Sequence, residues 1–175
     1  RYPDLSEETV ATDWGGEGLY TVTKTVTQQP TSKIHYSAAG REVRSEVQRF
    51  DGTWLITDTG YRTDGLVSKV SLPFKGGSAS GWACYDYDAY KRPIKIEEAS
   101  GKVSTWMYSG LSKTVVRDGV STTKTFDGSG WLSRVQDLGG QIAYTYRSDG
   151  QPEQVVAPGD VVTSFEYDAY GRRTK

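Results

Sequence analysis

Phe165-Glu166-Tyr167-Asp168-Ala169-Tyr170-Gly171-Arg172-Arg173 is the stretch that decides the fold, because earlier parts of the chain repeat it. Tyr87-Asp88-Ala89-Tyr90-Lys91-Arg92 is a near copy. Phe126-Asp127-Gly128-Ser129-Gly130, Tyr146-Arg147-Ser148-Asp149-Gly150 and Tyr36-Ser37-Ala38-Ala39-Gly40-Arg41 are looser ones. Counted between leading aromatics at Tyr36, Tyr61, Tyr87, Tyr108, Phe126, Tyr146 and Tyr167, the spacings are 25, 26, 21, 18, 20 and 21 residues. A period near 20 residues marks a repeat array whose units bury their faces against neighbours. Two strands of ~5–6 residues and two turns consume that length, so the unit reads as a β-hairpin.

Each part of the motif has a local physical reason. The aromatic ends an incoming strand, where its ring covers cross-strand neighbours while a hydroxyl stays wet. The Asp carboxylate accepts backbone N–H groups of the turn, and the Gly three residues later supplies positive φ. Arg172 stands close enough in sequence to Asp168 for a charge-assisted bond across the turn. Tyr87, Asp88, Arg92, Phe126, Asp127, Tyr146, Tyr167, Asp168, Gly171 and Arg172 are therefore read as turn builders, not as catalytic groups.

Working outward, residues 1–35 read as an irregular leading segment with a glycine-rich loop at Gly15-Gly16-Glu17-Gly18. That loop lacks the Lys-Ser/Thr that a phosphate cradle needs. Within the segment, Leu19–Gln28 alternates cleanly and Ser32–Ser37 returns. The chain then runs as short alternating strands punctuated by Asp51-Gly52, Asp64-Gly65, Ser100-Gly101, Ser109-Gly110, Asp118-Gly119, Gly139-Gly140, Asp149-Gly150 and Pro158-Gly159-Asp160. Pro73–Gly81 is the longest interruption, a loop excursion or a junction between sub-arrays. The whole reads as an all-β antiparallel meander of about sixteen strands. Twist accumulating over that many strands predicts a coiled sheet, treated as one module over 1–175 with its clearest repeats at 85–175.

Composition agrees. Hydrophobic residues make up 35% of the chain, and Thr, Val and Tyr outnumber Leu, which suits a half-exposed pleated surface. The 21 basic and 22 acidic residues are interspersed, so no field draws in nucleic acid or anionic membrane. No apolar run approaches the ~20 residues of a membrane-spanning helix. Ending just after a repeat turn, the chain reads as a piece of a longer protein.

Candidates for chemistry are few. His35 is the single histidine and reads as a partly exposed strand residue. Cys84 is the single cysteine and reads as a small filler. No Ser-His-Asp, Cys-His or metal-ligand set forms around them, so no cofactor, metal or catalysis is expected, and acids such as Asp86, Asp88, Glu97 and Glu98 fall at turns and strand ends. Five tryptophans remain. Trp54, Trp82, Trp106 and Trp131, with Trp14, are candidate binding aromatics, although packing is the commoner use of such rings.

The run of Tyr-Asp-x-x-Gly-Arg turns with return strands such as Val161–Asp168 resembles the YD repeat of the Rhs family, well from about Tyr85 onward and more weakly from Tyr36. Lys91 departs from the pattern by standing where the family has Gly. Tyr61, Tyr108 and Tyr146 lack the adjacent Asp, which marks those units as degraded. The resemblance implies a large secreted or cell-surface bacterial protein whose sheet spirals into a hollow shell, in some members around a toxic C-terminal domain. The family's Asp-Pro self-cleavage motif is absent, since the chain has no Asp-Pro dipeptide. Partners implied are the rest of the parent protein and an encapsulated toxin domain. The alternative is an adhesive module binding carbohydrate or a cell surface.

Overall fold

The computed structural model describes residues 7–174; Pro3 and its neighbours in the irregular leading segment, and Lys175, lie outside the described residues. Two compact units divide the chain, Arg1–Lys102 and Val103–Lys175. In the first, strands β1 (Glu8–Trp14), β2 (Tyr20–Val26), β3 (Ser32–Tyr36), β4 (Glu42–Gln48), β5 (Trp54–Tyr61), β6 (Val67–Ser71), β7 (Trp82–Tyr87) and β8 (Pro93–Glu97) each pair antiparallel with the next. In the second, β9 (Val103–Ser109), β10 (Ser112–Arg117), β11 (Val120–Phe126), β12 (Leu132–Asp137), β13 (Gly140–Tyr146), β14 (Pro152–Ala157) and β15 (Val161–Ser164) do the same. Among the described residues that makes fifteen strands, and the helical part is one 3-10 turn at Gly16–Gly18. The expected all-β meander is the observed fold.

Two local readings change. Glu8–Trp14, expected to be irregular, is a strand whose seven residues all register against β2, because Thr9, Val10, Ala11 and Thr12 are adequate strand formers once a partner lies alongside. At the other end, residues 165–173 do not continue as a long strand: Tyr167 and Arg173 make an isolated bridge around the last turn.

The register sorts side chains onto two faces. In the first unit Val10, Val22, Ile34, Val47, Leu55, Val70, Ala83 and Ile96 fall on one face, and Lys33, His35, Arg44, Glu46, Asp58, Lys69, Cys84 and Lys95 on the other. Neither unit closes a core. Val26 and Phe74, each 8% exposed, are the buried hydrophobic residues among those described.

Phe74 was invisible in the sequence because it sits in the Pro73–Gly81 interruption. That interruption is a loop excursion within the first unit: Phe74 and Ile56 exchange N–H···O bonds of 2.9 and 2.8 Å, folding the loop back over β5, while Leu72 N–H donates to Gly81 O at 2.9 Å. Cys84 is exposed on the polar face opposite Lys69 and Glu97 and fills no core.

Lys91 takes φ 64° where the matching turn has Gly171 at 75°. A Cβ in that region costs about 1–2 kcal/mol. Lys91→Gly is therefore expected to raise unfolding stability by about 1 kcal/mol, read as a higher urea midpoint with unchanged slope; an unchanged or lower midpoint contradicts this account of the turn.

Candidate functional site

One turn recurs eight times among the described residues, at 37–41, 49–53, 62–66, 88–92, 98–102, 127–131, 147–151 and 168–172. In each, the first residue's N–H donates to the fifth residue's carbonyl and the fourth residue's N–H donates to the first residue's carbonyl, at 2.7–3.0 Å. The fourth residue always has positive φ. Where such a turn follows Tyr36, Tyr61, Tyr87, Phe126 or Tyr146, the strand register shifts at that aromatic. This is the three-residue hairpin loop in which a type I turn runs into a bulge.

The turn leaves N–H groups that no strand carbonyl takes, and a short acceptor takes them. Asp88 Oδ1 accepts from Tyr90 N–H and Arg92 N–H, both at 2.9 Å, and Asp168 Oδ1 accepts from Tyr170 N–H and Arg172 N–H at the same distance. Asp127 Oδ1 does so for Ser129 and Trp131. Arg92 Nε and Arg172 Nε then donate to the second oxygen of Asp88 and Asp168, each at 2.7 Å.

The units after Tyr61 and Tyr146, expected to be degraded for want of an adjacent Asp, form the same turn. The carboxylate has moved to the third position, where Asp64 and Asp149 accept from Leu66 N–H and Gln151 N–H at 3.3 and 3.1 Å. The cation has moved with it: Arg62 lies 3.2 Å from Asp64 and Arg147 3.6 Å from Asp149. Counting back from each glycine, instead of forward from each aromatic, shows that these two turns, already marked by Asp64-Gly65 and Asp149-Gly150, are of the same kind as the others. Tyr108 is the true departure, since Gly110-Leu111 make a tight two-residue loop between Ser109 and Ser112.

Because alternate turns of a meander share an edge, the turns at 37–41, 62–66 and 88–92 line one edge of the first unit, and those at 127–131, 147–151 and 168–172 one edge of the second. Successive turns on an edge grip each other. Tyr61, Tyr146 and Tyr167 hydroxyls donate to Glu42, Leu132 and Pro152 carbonyls at 2.7, 2.8 and 2.8 Å, each acceptor being the residue after the preceding turn. The fifth residue of one turn lies over the glycine of the next: the Trp131 ring is 3.0 Å from where a Gly150 Cβ would stand, and Gln151 Nε2, at 3.0 Å from the same point on Gly171, donates to Gly171 O at 2.8 Å. Arg41, Arg62 and Arg147 sit over the next tyrosines, Tyr61, Tyr87 and Tyr167, at 5.7, 5.9 and 5.4 Å. Desolvation raises the hydroxyl pKa of Tyr87 and Tyr146, as expected of rings pressed between turns.

On the polar face of the first unit, Thr21 Oγ1 and His35 Nδ1 are hydrogen-bonded at 3.0 Å. His35 Nε2 approaches Glu46 Oε1 at 3.3 Å without hydrogen-bond alignment. Arg44 grips Asp58 through both carboxylate oxygens at 2.6 and 3.0 Å, which raises the guanidinium pKa, and Asp58 N–H donates to Ser71 Oγ. Lys95 binds Glu97 at 2.8 Å. Among the described residues no group of three or more His, Cys, Asp or Glu is placed to hold a metal ion, and no helix is long and apolar enough to cross a membrane.

The tryptophans separate. The Lys33 ammonium sits 4.7 Å over Trp54 and the Lys69 ammonium 4.3 Å over Trp82. Trp131 is engaged with Tyr146 at 5.5 Å, and Trp14, 75% exposed, leans on Tyr20 at 5.0 Å. Trp106 instead lines a groove of about 470 Å³ with Val115, Arg117, Asp118, Val120 and Thr122.

The coreless hairpins, the recurrent bulged turn and the turn-to-turn ladder define a class: a repeat scaffold built by adding hairpins along one edge. Solved structures of that fold exist. The chain is similar to the crystal structure of TcdB2-TccC3-Cdc42, with a TM-score of 0.68 and 13% identity over 89% of this chain and 11% of that one. It is similar also to the crystal structure of TcdB2-TccC3, with a TM-score of 0.57 and 13% identity over 97% of this chain and 10% of that one. It thus spans about a tenth of the length of the chains it matches. No family model matches it, and neither does any curated protein.

Removing one rung tests the ladder: Tyr146→Phe is expected to cost about 1 kcal/mol through the lost bond to Leu132 O. Gly150→Ala, which combines φ 85° with the Trp131 ring, should cost about 1–3 kcal/mol. Equal stability of either variant with the parent chain in urea melts removes the ladder from the account.

The acid pair gives a pH test. At Asp88 desolvation is the largest single influence and pushes the carboxyl up, but the Arg92 backbone and side-chain bonds and the Tyr90 backbone bond together outweigh it, and at Asp168 the Arg172 backbone bond leads; both carboxyls ionise below the usual range. Groups depressed in the folded state stabilise it above the unfolded value of ~3.9, and that contribution disappears as pH falls through the folded values. A carboxyl NMR titration should place both midpoints below ~3.9; midpoints above it contradict the turn geometry.

Proposed function

We propose that this chain is a YD-repeat segment forming part of the β-sheet wall of a larger secreted or cell-surface bacterial protein. Its partners on this reading are the remaining repeats of that protein and a toxin domain held inside the wall. The role is architectural, with no catalysis of its own. What supports the reading above all is the fold likeness to TcdB2-TccC3 structures across 89–97% of the chain. The turn ladder supports it too. Within each unit hydrogen bonds and ring contacts run from hairpin to hairpin, and among the described residues none encloses a core, so stability is gained by adding hairpins, as in other repeat proteins.

The reactive side chains are spent on structure. Asp88, Asp127 and Asp168 hold turn amides, His35 is hydrogen-bonded to Thr21, and Cys84 stands exposed on the polar face.

Electron microscopy of the full-length parent protein tests this. Particles with one continuous curved wall, and a C-terminal domain that resists protease until the wall is cut, are the expected outcome. Separate compact beads, or a C-terminal domain digested at the rate of a free one, overturn it.

A further inference from the structure

The geometry points to a binding site on the second unit for an aliphatic primary ammonium group, the chemistry shared by free alkylamines and lysine side chains. The site is a groove of about 510 Å³ lined by Thr145, Glu153, Gln154, Ser164 and Phe165, within the ~300–1,000 Å³ usual for small-ligand sites. Register builds most of it: Thr145, Gln154 and Ser164 lie in one row across β13, β14 and β15. A bulge supplies the rest. Thr145 pairs with Gln154 and Tyr146 with Pro152, which leaves Glu153 as the extra residue. Neighbours in a regular strand point to opposite faces, whereas a bulge re-aims a side chain, and here Glu153 and Gln154 line the same groove.

Polar side chains without partners distinguish this groove from the rest of its face. Further along the same face, Ser112 with Thr125 and Thr114 with Thr123 pair hydroxyl to hydroxyl at 3.1 and 2.9 Å. In the groove, by contrast, Thr145, Glu153, Gln154 and Ser164 make no side-chain hydrogen bond or ion pair among the described residues. What they offer is chiefly acceptors. An alkylammonium carries three N–H donors and no acceptor. The Glu153 carboxylate takes one as a charge-assisted bond, and the two hydroxyl oxygens and the Gln154 carbonyl are there for the others. Phe165 gives the alkyl stem an apolar wall. Other ligands fit less well. The unpaired negative charge of Glu153 selects a cation over a neutral group or an anion. The Arg173 guanidinium already sits 4.3 Å over the Phe165 ring, which therefore suits an alkyl stem better than a second planar cation. A calcium ion requires about six to eight oxygen ligands at ~2.3–2.6 Å, and one carboxylate in a groove of this size does not gather them.

NMR titration of the full chain with Nα-acetyl-lysine methylamide and with n-butylamine tests the assignment, Nα-acetyl-norleucine methylamide being the neutral control. Both amines are expected to shift the amide resonances of Gln154 and Ser164 and to bind at least about tenfold more tightly than the norleucine compound. A lysine compound that binds more tightly than butylamine identifies a polypeptide side chain as the source; butylamine binding as tightly or more so identifies a free amine. Glu153→Gln, at an exposed position where the change spares the fold, should abolish the preference for the amines. Thr145→Val should weaken both amines, and Glu17→Gln, which removes an exposed carboxylate of the first unit, should change neither. Far-ultraviolet dichroism checks that each variant is folded. No shifts at millimolar amine, equal affinity for the lysine and norleucine compounds, or a preference that survives Glu153→Gln overturns the proposal.

Discussion

A bulged hairpin turn leaves two backbone N–H groups pointing into the loop with no strand carbonyl to receive them, and a compact oxygen acceptor must be supplied from within the turn. Asp at the first position meets both with one oxygen, as at Asp88, Asp127 and Asp168. Asp at the third position meets the fifth N–H alone, as at Asp51, Asp64 and Asp149. The remaining features of the edge follow from this turn. Its bulge sets the register of the return strand, its positive-φ residue leaves room for a neighbouring side chain, and its cation reaches the next tyrosine.

That arrangement explains how a chain with so little buried apolar surface holds together. Fully burying a large aliphatic side chain is worth about 1.5–3 kcal/mol, and here almost none is fully buried. Half-burial across many strands, cross-strand pairs such as Thr114 with Thr123 at 2.9 Å, and the tyrosine rungs distribute the stabilisation along the sheet. In such an arrangement each hairpin depends on its neighbours for the surface it buries. It also leaves both faces open for contact, and the two faces differ. The polar face of the first unit uses its tryptophans to receive lysines, while on the second unit the Trp106 indole stays unstacked in its groove.

Much of this was legible from residues alone. Alternation and turn chemistry specify the meander, because the side-chain period of a strand and the demands of a tight turn are both local. The turns at Asp64-Gly65 and Asp149-Gly150 were legible, but anchoring on Tyr-Asp made their units read as degraded, since the acid there stands two residues further on while the glycine has not moved. Glu8–Trp14 was hidden for another reason: its strand state depends on β2 lying alongside, and a partner is not a local property.

By itself, then, the sequence determined the strand period, the hairpin repeat and the turns, since these rest on φ preferences, short-range hydrogen bonds and face alternation within a few residues. Tertiary structure alone decided that Phe74 folds back onto Ile56, that tyrosine hydroxyls reach carbonyls 14 to 19 residues away, and that Trp106 lines an open groove. Those outcomes depend on which strands become neighbours and in what register, and chain segments far apart in sequence meet only once the sheet has formed.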